Sequence, residues 1–214
     1  MRNDIPAHDE DPVTAALLAP YGVRVGTPEE ADVAVVFVES PACNPYSAAD
    51  AESGGNGYLP ITLQYRPYTA DTARAESIAG GDFREGFTNR SYRGKTNIAY
   101  NESDLDNILA CRRAMGEKPV VVCATLNNPM VMREFERDAD AIVVEFGVSR
   151  AAVLDVVFGD YEPTGRLPIQ IPKDMETVEA QSEDRALDME PHVDEAGNSY
   201  DYGFGLNYGG VIKS

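Results

Sequence analysis

Three short apolar runs punctuate the chain, and the segments between them differ sharply in character. The first run, Asp32-Val33-Ala34-Val35-Val36-Phe37-Val38, is rich in β-branched residues, as are Lys118-Pro119-Val120-Val121-Val122-Cys123-Ala124 and Ala141-Ile142-Val143-Val144-Glu145-Phe146. Continuous apolar runs of this length read as strands buried on both faces, the pattern of a parallel sheet. Helical spacing separates the later runs. Leu105, Ile108 and Leu109 share one helical face, and Arg112 and Arg113 suit a last turn ahead of Gly116. Asn128-Pro129 offers an N-cap and a first position for a helix through about Arg137. After the third run, Ala151, Leu154, Val157 and Phe158 line one face, with Gly159 as the stop. The alternation predicts an α/β fold: a mostly parallel, doubly wound sheet flanked by helices.

Residues 1–30 read as a polar lead-in with short helices, and residues 31–214 as the α/β sandwich. Within the lead-in, Arg2 to Pro12 is polar and loosely ordered, and Val13 to Leu18 is a short helix ending at Pro20. Thr27-Pro28-Glu29-Glu30 has the order of a helix start, of about one turn: Thr as cap, Pro first, acids following. The stretch from Glu39 to Tyr100 has little periodicity but is rich in Gly, Ser, Asn, Tyr and Arg. A long irregular stretch inside a compact domain is either functional or disordered, and its Tyr and Arg content argues against disorder. It is expected to be an ordered loop insertion after the first strand, with a strand near Leu59 to Gln64. Beyond Gly159, Pro163, Gly165 and Pro168 impose turns on a short extended piece, Leu167 to Ile171. The chain closes on the aromatic-glycine run Tyr200 to Tyr208.

Composition narrows the function classes. The formal net charge of -18 repels phosphate backbones and anionic lipid, so nucleic acid is not an expected partner. No stretch is long and apolar enough to span a membrane, and the polar start at Met1-Arg2-Asn3-Asp4 is not a secretion signal. Cys43, Cys111 and Cys123 are odd in number and widely spaced, which suggests no disulfide framework. His8 and His192 are the only histidines, both in polar flanks, so neither a zinc site nor a Ser-His-Asp arrangement is expected. No metal or cofactor is implied.

Ligands of open parallel sheets bind beyond the carboxyl ends of the strands. Glu39 and the loop behind it stand at that edge. In the loop, Glu52-Ser53-Gly54-Gly55-Asn56-Gly57-Tyr58 sets a carboxylate beside glycines that let the backbone approach a ligand. The ordinary reading of Glu52 is one more solvated acid. That of Glu39 is a strand-end residue paired with backbone or Arg, and Asn56-Gly57 equally reads as a hairpin turn. The glycine cluster has neither dinucleotide nor P-loop spacing. Tyr46, Tyr58, Tyr65, Tyr68 and Arg66 provide faces and donors suited to hydroxyl-rich ligands, or else pack the loop onto the sheet.

The second half carries a resemblance. Ala151 to Pro168 resembles the "aladvLfGdvnPsGrLP" segment of the C-terminal α/β sandwich of family 3 glycoside hydrolases, the β-glucosidase type. Tyr202-Gly203-Phe204-Gly205-Leu206-Asn207-Tyr208 is similar to its closing "pFGyGLsYt". Ala31 to Val38 resembles the strand "aDvaivvvg", and Lys118 to Pro129 the segment "npvvvvlnsgrPv". The likeness thus runs from Ala31 to the C-terminus.

It implies a retaining hydrolase of β-linked glucosides or related saccharides, in which two carboxyl groups stand roughly 5–5.5 Å apart. In the family, the nucleophilic Asp comes from an N-terminal barrel domain and the acid/base Glu from a loop of the sandwich. Glu52 to Leu63 lies against the acid/base loop "ETKGDNLNLTI", which makes Glu52 the candidate acid/base and Glu39 the reserve. Asn56, Tyr58 and Arg66 are the candidate substrate-binding residues. Three features depart from the pattern. No barrel precedes the domain, the usual first strand "iaviGp" is missing, and Phe146-Gly147-Val148-Ser149-Arg150 stands where "yPGqegG" is usual. The expectation is a sandwich inactive alone, partnered by a barrel in cis or in trans. The alternatives are a non-catalytic carbohydrate- or protein-binding module, or a truncated product whose exposed sheet edges favour homo-oligomers.

Overall fold

The computed structural model describes residues 12–80, 82–182 and 184–213. The polar stretch expected before Pro12, with His8, lies outside the described residues. Helix α1 (Pro12–Leu18) runs into a 3-10 turn, Ala19–Tyr21. Then follow β1 (Ala34–Glu39), α2 (Ala48–Glu52), β2 (Tyr68–Thr69), β3 (Thr96–Asn97), α3 (Ser103–Met115) and β4 (Val120–Thr125). The chain continues through β5 (Ala141–Glu145), α4 (Arg150–Val157), α5 (Met175–Ala180), β6 (Leu206–Asn207) and β7 (Gly210–Val211).

The fold is α/β, built on a parallel three-stranded sheet in the order β1-β4-β5. Successive side chains of a strand point to opposite faces. One face therefore presents Val36, Val38, Val122, Ala124 and Val144, and these join the main core with Leu105 and Ile108 of α3, Phe135 and Ile171. The other face presents Phe37, Cys123 and Val143, and here the start of α4 approaches: the Arg150 guanidinium lies 5.2 Å from the Phe37 ring centroid. In α4, Val153 and Leu154 are the buried residues and Ala151 is exposed. Phe158, just past its end, packs against Tyr21 of the lead-in at 4.9 Å.

Two expected elements are absent from their places. No helix starts at Asn128-Pro129; the segment makes two 3-10 turns, Met132–Glu134 and Glu136–Asp138. The reason lies in its burial. Met130, Val131 and Met132 are all buried in succession, with Met130 and Met132 in the main core and Val131 in a second cluster. Alternation between two cores is an extended, not a helical, arrangement, and the Val131 N–H is taken by the Leu63 carbonyl (2.8 Å). The strand expected near Leu59 to Gln64 is likewise not formed. Its main chain finds single partners instead of a ladder: the Leu59 N–H donates to the Pro45 carbonyl (2.9 Å), and that of Leu63 to Met175 Sδ (3.3 Å).

The turn at Thr27 stays a single turn. Glu30 and Ala31 donate to the Thr27 carbonyl, and Glu30 Oε2 accepts from the Thr27 N–H (3.2 Å), a capping-box contact. The Lys118 ammonium then takes the carbonyls of Pro28, Glu29 and Ala31, which a continuing helix would need. The Glu39–Tyr100 loop is ordered around its own small core of Leu63, Tyr68, Ala70, Ala73, Val131 and Met175. At the other end, Leu167 and Ile171 donate to the carbonyls of Phe204 and Tyr200, so the aromatic-glycine run is zipped onto the extended piece.

Candidate functional site

Strand register builds the site. Glu39 stands opposite Thr125, and Thr125 opposite Glu145, so two carboxylates and a hydroxyl form one row across the carboxyl edge of the sheet. A cleft of about 570 Å³ opens there, bounded also by Phe37, Asn101, Asp104 and Arg150. This is the expected ligand position for an open parallel sheet.

The main chain of Glu39 is pinned while its side chain stays exposed. Its N–H donates to Asp104 Oδ2 (3.1 Å), and its carbonyl accepts from the Tyr65 hydroxyl (2.6 Å) and Asn101 Nδ2 (3.2 Å). Asn101 Nδ2 also donates to Asp104 Oδ2 (3.2 Å), so the first turn of α3 is locked to the end of β1. Glu145 is the opposite case. Its carboxylate accepts from the Thr125 hydroxyl, the Gly147 N–H (2.5 Å) and the Val148 N–H (2.7 Å). Burial alone would raise the Glu145 carboxyl, but these three donors outweigh it and hold it below the ordinary range. Glu145 is a fixed anion, not a proton donor, at neutral pH.

The loop behind Glu39 forms a shelf. Ser47 caps α2 by accepting from the Asp50 N–H (3.2 Å). Asp50 accepts from Lys95 Nζ (2.6 Å) and the Gly57 N–H (2.7 Å), and Lys95 first, then Gly57, lowers its carboxyl. Gly57 has φ 78°, and a side chain there would collide with the Tyr46 ring, so both conformation and space require glycine.

The five candidate residues fall in different places. Glu39 lines the strand-end cleft. Glu52 ends α2, exposed, and is not among the residues lining that cleft. Asn56 is engaged inside the loop: Oδ1 accepts from Lys95 Nζ (2.7 Å) and the Tyr58 N–H (3.1 Å), and Nδ2 donates to the carbonyls of Asn89 (2.9 Å) and Ser91 (2.7 Å). Tyr58 meets Tyr46 and Phe87 edge-on, with the Arg90 guanidinium 5.6 Å from its ring centroid. Arg66 pairs with Glu102 (2.7 Å) and Asp106 (2.6 Å) at the start of α3. The fold therefore holds Asn56 and Tyr58 together in the shelf whose helix α2 ends at Glu52, and sets Glu39 at the cleft and Arg66 against the start of α3.

Asp104, Arg150 and Glu145 of the cleft were not singled out from the sequence. The signal for Glu145 was present, an acid closing a buried parallel strand just before a glycine. Asp104 and Arg150 give no such signal, because only tertiary packing carries two helix starts to the strand ends. Cys43, Cys111 and Cys123 are free thiols, and burial pushes the Cys123 thiol up to about 12. Among the described residues no group of three or more His, Cys, Asp or Glu is placed to hold a metal ion, and no helix is long and apolar enough to cross a membrane.

Residues 21–208 match the glycosyl hydrolase family 3 C-terminal domain. The chain belongs to this family. Relatives of the family 3 C-terminal domain described here include β-glucosidase C of Emericella nidulans, 40% identical over 90 residues, which are 42% of this chain and 14% of that protein. A probable β-glucosidase C of Aspergillus flavus is 38% identical over 96 residues, 45% of this chain and 14% of its own length. A periplasmic β-glucosidase of Salmonella typhimurium is 32% identical over 129 residues, 53% of this chain and 17% of its own. The matched segments thus span only about one-seventh of the length of these relatives.

Proposed function

We propose that this family 3 C-terminal domain serves β-glucoside hydrolysis by presenting a carboxyl group to a sugar held on a barrel domain that meets it in cis or in trans. The observation that carries this reading is a pair of exposed glutamates, Glu52 on the loop shelf and Glu39 at the end of β1, whose side chains no other described residue engages. Asp50, Glu85, Glu102 and Asp106, by contrast, are each tied to a cation, and Glu145 is locked by three donors. A group that must give a proton to a leaving oxygen and later take one from water has to be unencumbered in this way.

Glu52 is the first candidate for that role and Glu39 the second. Asn56 and Tyr58 would contribute to sugar recognition chiefly by shaping the shelf, and Arg66 by fixing the loop to the start of α3. In the retaining scheme, the barrel's carboxylate attacks the anomeric carbon while the sandwich glutamic acid protonates the departing oxygen. The resulting glutamate then deprotonates the water that releases the sugar. In this reading the attacking carboxylate comes from the barrel, so hydrolysis needs both domains.

The test is reconstitution with a family 3 barrel domain and an alkyl β-glucoside, whose poor leaving group demands protonation. Glu52→Gln is expected to lower the rate about a hundred- to ten-thousand-fold, and Glu39→Gln to leave it within about tenfold. The reverse ranking moves the acid/base role to Glu39. Full activity of both variants, or sugar binding without hydrolysis in the reconstituted protein, overturns the catalytic reading in favour of a binding module.

A further inference from the structure

Helix α2 cannot hold Glu52 in place by itself. It has five residues, Ala48–Glu52, and so short a helix is unstable in water without tertiary contacts. The loop around it is closed at its stem: the Ser47 N–H donates to the Gly57 carbonyl (2.8 Å), and the Leu59 N–H to that of Pro45 (2.9 Å). Lys95, the residue before β3, reaches into this loop from outside. Its half-buried ammonium donates to Asp50 Oδ2 (2.6 Å) and to Asn56 Oδ1 (2.7 Å). Asp50 lies two positions before Glu52 on the same helix. Its carboxylate also takes the Gly57 N–H (2.7 Å), and its carbonyl takes the Gly55 N–H (2.9 Å). A side chain at Gly55 would collide with the Asp50 carboxylate, so glycine lets the chain close over the ion pair. The hydroxyls of Ser47 and Ser53 bond only within the helix's own turn. Among the described residues, Asp50 is thus the one side chain of α2 bonded to a distant part of the chain.

Resting on the acid/base reading of Glu52, we infer that Lys95 is a positioning residue for that glutamate. By gripping Asp50 and Asn56 at once, it fixes where α2 sits and so where Glu52 gives up its proton. Lys95 acts through geometry, since its charge is already taken up by Asp50. Geometry is enough. Proton transfer to the leaving oxygen needs a heavy-atom approach of about 2.6–3.2 Å, and a misplacement of about 1 Å can cost about a hundredfold in rate. Asn56 extends the same grip, because its Nδ2 donates to the carbonyls of Asn89 (2.9 Å) and Ser91 (2.7 Å) on the far side of the loop. The shelf is therefore tied to two distant stretches of chain through one ammonium and one amide.

The test uses the intact chain with a family 3 barrel domain and two substrates. An alkyl β-glucoside needs its leaving oxygen protonated, whereas a dinitrophenyl β-glucoside departs as a stable phenolate and does not. Lys95→Met keeps the alkyl stem and removes the ammonium. It is expected to lower kcat/KM about ten- to a hundredfold for the alkyl glucoside, and to leave it within about threefold for the dinitrophenyl one. In the Glu52→Gln background the same change should add less than about twofold, since no acid is left to place. Asp50→Asn should repeat the pattern more weakly, and it carries the test if Lys95→Met fails to fold. Without any barrel, the Gly55 and Gly57 amides should exchange at least about tenfold faster in Lys95→Met while Val122 keeps its protection. Equal losses on both substrates, a full further loss in the Glu52→Gln background, or unchanged exchange at Gly55 and Gly57 each overturns the positioning role. An alkyl glucoside rate untouched by Glu52→Gln overturns the acid/base reading itself. A loss in Glu52→Gln with none in Lys95→Met overturns the inference alone.

Discussion

Tyr65 shows how one residue links the interior to the candidate site. It is fully buried, and burial raises its phenol far above the ordinary value, with Asp104 and Glu134 adding to the effect. The hydroxyl is therefore always a donor, and it donates to the carbonyl of Glu39 (2.6 Å). Its own N–H donates to Glu134 Oε2 (2.6 Å), and the next N–H, of Arg66, to Glu134 Oε1 (3.0 Å). One half-buried carboxylate thus turns the loop so that Tyr65 points at the end of β1. Tyr65→Phe keeps the packing and removes only the hydrogen bond. It should cost about 1 kcal/mol, read by urea unfolding, and should shift the amide resonances of Glu39 and Ser40. From the sequence, Tyr65 was one of several loop tyrosines, read either as ligand faces or as packing. Its packing depends on Glu134, nearly seventy positions away, which no local pattern reports.

At the scale of elements, helix starts and strand ends decide the geometry. Ser149 caps α4 by accepting from the Ala152 N–H (3.3 Å), and Arg150, which covers Phe37, is the first residue after it. Ser149→Ala should cost about 1 kcal/mol and, by fraying that turn, expose Phe37 to faster amide exchange. Asp140 plays a similar part before β5: it accepts from the Val120 N–H (2.8 Å) and pairs with Arg112 of α3. The Val120 N–H first, and Arg112 after it, lower the Asp140 carboxyl. A depressed acid contributes stability above its unfolded pKa and loses it as pH falls through the folded one. Unfolding midpoints measured from about pH 5 down to about pH 2 should therefore fall less steeply in Asp140→Asn than in the unaltered chain. Helices α3 and α4 were legible because one-sided spacing survives burial on one side. The segment after Asn128 was not, because its apolar residues serve two cores in turn and cap-like residues alone do not make a helix.

Across the whole molecule, charge and topology act together. With 36 acids against 18 bases, the folded chain repels itself. Raising salt from about 0.01 M to about 1 M, which cuts the screening length from about 30 to 3 Å, should raise the melting temperature, provided that repulsion outweighs the exposed ion pairs; a fall would show that the pairs dominate. The parallel sheet, its three strands and the helices α3 and α4 were determined by the sequence itself, since continuous β-branched runs and 3.6-residue spacing are local properties. Family membership followed from the ordered motifs of the second half in the same way. Tertiary structure alone decided which acids face one another. Register set Glu39, Thr125 and Glu145 in a row, and folding of the long loop left Glu52 free while consuming Asn56 and Arg66 in internal bonds. A carboxylate's role depends on the donors and cations that reach it, and these come from positions tens of residues away that only the packed chain brings together.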